Sequence, residues 1–121
     1  MAYGKKNWVF CDGDLPPKGD NPDFRGHEAL MITDVSKKDA KIRIKILFED
    51  KAPYDNITID LNAERTTCLR LDKPIGKEGY QIPYGQYAIH VISNVPVVAC
   101  FGRLDVRQTN MAYYSPAGYG F

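Results

Sequence analysis

The chain has 121 residues, 44% of them hydrophobic and 26% charged, with a formal net charge of +1. This length encloses one ordinary domain with a real core and is too short for two. The composition excludes an apolar-poor disordered segment, and the near-zero net charge excludes a global field drawing the protein to nucleic acid or an anionic membrane.

In chain order, residues 1–10 lack an apolar signal-peptide region, and no window reaches the roughly 20 apolar residues of a membrane span. The expectation is a cytoplasmic protein without membrane insertion. Residues 8–11 read as a first short strand. Residues 12–26, punctuated by Pro16, Pro17, Gly19 and Pro22, form a long connection of the kind that carries function in a compact domain. Residues 27–33 read as a second strand.

The clearest period lies in residues 40–48, where Ala40, Ile42, Ile44, Ile46 and Phe48 alternate with Lys41, Arg43, Lys45 and Leu47. Period two means a strand with one buried and one solvated face. Ile57, Ile59 and Leu61 repeat it after turn-forming residues 52–56, which predicts a hairpin. Residues 66–71 read as another strand, followed by a second long connection, 72–85, with Pro74, Gly76, Gly79 and Pro83. Two buried strands, 86–93 and 95–103, follow, with Ser93-Asn94-Val95-Pro96 as a tight link between them. The tail, 114–121, has no strand period and reads as a flexible segment whose aromatics can dock on a neighbouring subunit. Short strands separated by Gly, Pro, Asn and Asp predict an all-β, antiparallel sandwich or barrel in a single domain covering 1–121.

Catalytic and nucleotide-binding templates are missing from the sequence, so it reads as a non-enzyme without a cofactor. Cys11, Cys68 and Cys100 are odd in number and far apart, which favours reduced thiols over disulfides or a zinc site. A metal site would need His27 and His90 to meet carboxylates in space, and none is expected. The chemically densest stretch runs from Arg103 to Gln108. If it is extended, Arg103, Asp105 and Arg107 share one face and can clamp a polyol, carboxylate or phosphate through forked hydrogen bonds. Alternatively, Arg103 and Asp105 satisfy each other. His27 and Glu28 open a strand after the Pro-rich loop, and alternation sends them to opposite faces. Trp8 reads as core, although its ring would also serve as a sugar-stacking platform. Lys41, Arg43 and Lys45, with Arg65 and Arg70, offer a basic stripe that is either a nucleic-acid contact or a solvated face.

Five motifs stand in register from about Trp8 to Tyr114. They are W-x-F-x-x-G-x-x-P-P from Trp8 to Pro17, His27-Glu28, Arg65-Thr66, Ser93-Asn94-Val95-Pro96 and R-L-D-x-R-Q from Arg103 to Gln108. Together they resemble the Anabaena sensory rhodopsin transducer family. The resemblance implies a jelly-roll β-sandwich assembling as a homotetramer, and a small-molecule or carbohydrate binding or sensing module. The alternative it implies is a signal-transducing protein that docks a receptor or DNA. By the same resemblance, a shared ligand site is expected from Trp8, His27, Glu28, Arg65, Ser93, Asn94, Arg103, Asp105, Arg107 and Gln108.

Overall fold

The computed structural model describes residues 3–108 and 110–121, which form strands β1 (Lys5–Leu15), β2 (His27–Asp34), β3 (Ala40–Leu47), β4 (Tyr54–Leu61), β5 (Arg65–Arg70), β6 (Gly85–Asp105), β7 (Ala112–Tyr114) and β8 (Tyr119–Gly120). All pairings are antiparallel. One layer runs β4-β3-β6-β1-β8 and the other is built from β5, β2, the second half of β6 and β7. The chain changes layer at most of its connections, and the result is an antiparallel β-sandwich of jelly-roll type.

The alternation expected along residues 40–48 produces β3. Ile42, Ile44 and Ile46 are buried, and the hairpin to β4 sets Ile44 opposite Ile57 and Ile42 opposite Ile59. The other layer contributes Leu30, Ile32 and Phe101, and the Phe10 and Phe101 rings meet between the layers at 5.9 Å. Removing each such side chain from water stabilises the fold by about 1.5–3 kcal/mol.

Three local expectations are corrected. Ser93-Asn94-Val95-Pro96 does not link two strands, because β6 runs through it for 21 residues. It pairs with β3 up to Ser93 and with β1 up to Val97, across a register shift after Ile92, and from Val98 it pairs with β2. The Val95 amide donates to Ser93 Oγ at 3.3 Å, marking the bend at which one strand passes between sheets. Residues 12–15 are not loop but the end of β1, where a register shift between Phe10 and Gly13 inserts a bulge. The tail, finally, contains β8, with Tyr119 opposite Val9 and Phe121 exchanging two backbone hydrogen bonds with Asn7. A strand of two residues leaves no period to read. Glycine makes this docking possible, since a Cβ at Gly118 would collide with the Phe10 ring and one at Gly120 would press on Trp8.

Candidate functional site

β2 begins where the first long connection ends, and its first two side chains diverge as alternation requires. His27 stands opposite Leu104 on the outer face, while Glu28 stands opposite Arg103 on the inner face. The two faces carry two separate polar assemblies.

The inner assembly is a charge network with Glu28, Arg103 and Asp105 buried at its centre and Asp12 and Arg107 reaching solvent at its rim. Glu28 is fully buried and accepts from Tyr87 Oη at 2.5 Å, from the Asp14 amide at 3.0 Å and from Arg103 Nη1 at 3.4 Å. Arg103 also donates to the carbonyl of Asp12 in the β1 bulge at 3.3 Å, and its Nε is buried without a partner among the described residues. Tyr114 lies across the guanidinium, 5.1 Å from ring centroid to Cζ. Asp105, 5% exposed, is gripped by Arg107 through the backbone amide and the guanidinium, and Arg107 reaches on to Asp14 at 3.1 Å. Gln108 Nε2 closes the turn on the Asp105 carbonyl at 2.9 Å.

Burial pushes the Glu28 carboxyl above its ordinary value, opposed by its hydrogen bonds and by Arg103. Hydrogen bonds from Arg107 hold Asp105 below the ordinary range. Burial, followed by the neighbouring Glu28, pushes the Tyr87 phenol strongly upward, so it remains a donor.

Five of the ten expected site residues therefore meet here: Glu28, Arg103, Asp105, Arg107 and Gln108. Their geometry corrects the expectation of an open clamp. β6 ends at Asp105 and the chain folds back, so Arg107 bonds Asp105 instead of continuing the row. The forks are spent on internal carboxylates, and Arg103 and Asp105 are closed to solvent.

The other expected residues are scattered. The Trp8 indole donates to the Val97 carbonyl at 2.9 Å, stacks on Phe10 at 6.3 Å and is covered by Gly120, so it packs rather than presents a platform. Ser93 is buried at the β6 bend. Asn94 accepts from the Lys41 amide at 2.7 Å. Arg65 stands opposite Asp34, at the end of β2 remote from His27. Of the basic stripe, Lys41 is paired with Asp60 at 3.1 Å and Arg43 with Asp55 at 3.8 Å. Arg65 and Arg70 belong to the opposite sheet. His90 stands opposite Val9 and Lys45 in the β1–β3 layer, away from His27. No group of three or more His, Cys, Asp or Glu is placed to hold a metal ion among the described residues.

The outer assembly is a cleft of about 600 Å³. Both long connections wall it: Lys18, Pro22, Asp23, Phe24 and Arg25 come from the first, Asp72 and Lys73 from the second, with His27, Arg70 and Leu104 along the sheet. Its wall is ordered locally. Asn21 Oδ1 accepts from the amides of Asp23 and Phe24 at 2.8 and 3.3 Å, and Gly26 closes the loop by donating to the Lys18 carbonyl at 2.9 Å. The Arg25 carbonyl lies 2.8 Å from His27 Nδ1. A carbonyl only accepts, so Nδ1 carries the proton and Nε2 is the ring atom left for a ligand. Arg70 is held by a two-bond fork to Asp72, both distances 2.9 Å.

Of the ten expected residues, His27 alone lines this cleft. Lys18, Phe24, Arg25, Asp72 and Lys73 are not legible as cleft-lining in the sequence, because loops carry no period from which to assign a face, and Arg70, at the end of β5, reads there only as part of the basic stripe. The available signal was the presence of basic side chains in or beside both long connections.

The family model described as Anabaena sensory rhodopsin transducer matches residues 3–120. A crystal structure of Thermotoga maritima 1070 is similar, at 36% identity with a TM-score of 0.84 over 98% of this chain and 97% of that one. A structure of the Anabaena sensory rhodopsin transducer is similar at 31% identity, with a TM-score of 0.74 over 88% of this chain and 94% of that one. No curated protein matches.

Proposed function

Because the chain belongs to the Anabaena sensory rhodopsin transducer family, we propose that it is a binding or sensing module for a small molecule of carbohydrate type, with the ligand entering the cleft at His27. The carrying observation is the meeting of both long loops around one ordered polar hollow. Its volume falls within the range of about 300–1,000 Å³ in which small ligands are held. Phe24, 49% exposed, offers an aromatic face, and the His27 Nε2 offers a hydrogen-bonding atom of fixed orientation. The family's description as a transducer supports a non-catalytic role. Three exposed, unpaired cysteines support a reducing, cytoplasmic setting. A thermal-shift panel of sugars and small metabolites tests the reading, since a ligand at 100 times its Kd stabilises the fold by about 2.7 kcal/mol. A panel in which nothing raises the melting temperature counts against it.

A second reading, an interaction protein that docks copies of itself or a receptor, is favoured by the outer face of the β5–β2–β6 sheet. Cys68, Met31 and Cys100 form one cross-strand row, and Thr66, Thr33 and Val98 form the next. These six residues bring no charge to the solvent side of the sheet. Such a face suits burial against protein, in keeping with a homotetramer. DNA is less well supported as a partner, because carboxylates neutralise Lys41 and Arg43.

A further inference from the structure

The cleft and the inner charge network lie on opposite faces of the sheet, and their charge is opposite too. The network sets four carboxylates, Asp12, Glu28, Asp14 and Asp105, against two guanidiniums. The cleft sets four cations, Lys18, Arg25, Arg70 and Lys73, against Asp23 and Asp72. Asp72 is already committed to Arg70 through both of its oxygens. Lys18, Arg25 and Lys73 form no ion pair among the described residues. Two unit charges of excess cation thus face a hollow whose wall is fixed by the Asn21 turn and the Gly26 closure.

We propose that the cleft takes the phosphate group of a small phosphorylated molecule; the proposal rests on the cleft being the ligand site. A phosphate dianion matches the two-charge excess. It accepts hydrogen bonds from ammonium and guanidinium groups in several directions at once, which suits donors converging from two loops and a sheet edge. The fork to Asp72 uses Arg70 Nε and Nη2, leaving Nη1 for a ligand. A volume of about 600 Å³ exceeds what phosphate alone fills, so the organic part lies beside it, against Phe24 and His27. With Nδ1 bound to the Arg25 carbonyl, His27 Nε2 accepts a hydrogen bond from a ligand hydroxyl.

The test is NMR titration of the intact chain with inorganic phosphate, glucose 6-phosphate and glucose, at low and high salt. The expected result is that both phosphate compounds move the amide resonances of Phe24, Arg25, His27 and Lys73, with binding weakened by salt. The double variant R25A/K73A then lowers affinity about tenfold or more, since it removes two charge-assisted contacts. Lys38→Ala, in the β2–β3 loop, leaves affinity unchanged, and matched melting temperatures show that the variants are folded. If glucose moves these resonances as strongly as its phosphate does, the anion assignment is overturned while the small-molecule reading stands. If no compound moves them, both fall.

Discussion

Glu28 and Arg103 face each other directly across β2 and β6 and form an ion pair of 3.4 Å inside the sandwich, with side-chain exposures of 0% and 10%. The pair binds three strands together, because Glu28 also holds the Asp14 amide of β1 and Arg103 the Asp12 carbonyl in the bulge. Its role in the molecule is to fix the bulge and the end of the sheet.

Arg103→Met leaves a buried carboxylate without its cation and is expected to cost about 3–5 kcal/mol, read from urea unfolding. Combining it with Glu28→Gln removes the orphaned charge. The double variant is therefore expected to lose clearly less than the sum of the two single losses, since residues in one network couple. Strict additivity would show that the two side chains do not act as a pair. Tyr87→Phe, which removes one donor to Glu28, is expected to cost about 1–3 kcal/mol.

The same network sets two opposite pH responses. Burial raises Glu28 above the ordinary 4.5, so the native protein keeps this proton to higher pH than the unfolded chain does. Its contribution to stability is complete below the unfolded value and is lost as pH rises through the native one. Asp105 lies below the ordinary 3.8, so its contribution is present above that value and is lost as pH falls through the native one. Melting temperatures across about pH 3–7 check both. Glu28→Gln should gain relative to wild type as pH rises, and the deficit of Asp105→Asn should shrink as pH falls below about 4. Parallel curves would contradict the assignment.

β8 is a small element with a readable signal. Gly118→Val pushes a side chain into the Phe10 ring and is expected to cost about 1–3 kcal/mol through overpacking. Deleting residues 118–121 uncovers Trp8, the one tryptophan of the sequence, and should shift its emission to the red. An unchanged spectrum would mean that the tail does not cover the indole.

Thiol labelling separates a monomer from an assembly through the β5–β2–β6 face. Cys11, Cys68 and Cys100 are all exposed in the single chain, so a monomer should label at three sites without unfolding. Burial of that face should protect Cys68 and Cys100 and leave Cys11 reactive. Protection of Cys11 alone would place the contact on the other sheet.

What the residues announced, and what they concealed, follows from how far apart the partners lie in sequence. The β3–β4 hairpin was legible because Ile42, Ile44 and Ile57 carry a local period. β6 reads as two strands because Pro96 and Asn94 are turn-formers, whose local preference is overridden by pairing to β1 and β3 on its two sides and then to β2. The fate of Arg103 was hidden because its partner, Glu28, lies 75 residues away and meets it only once the register of β2 on β6 is set. His27 was legible as a polar residue at a strand start. Lys18, Arg25 and Lys73 acquire meaning only when the two loops approach each other.

Whether ligand enters beside His27 or beside Arg107 is decided by calorimetric titration of whichever sugar or sugar phosphate most raises the melting temperature. Wild type, His27→Ala and Arg107→Ala are compared. The cleft reading predicts that His27→Ala weakens binding about tenfold, the loss of one well-formed ligand hydrogen bond, while Arg107→Ala binds as wild type does. Binding that survives His27→Ala and is lost in Arg107→Ala would contradict it.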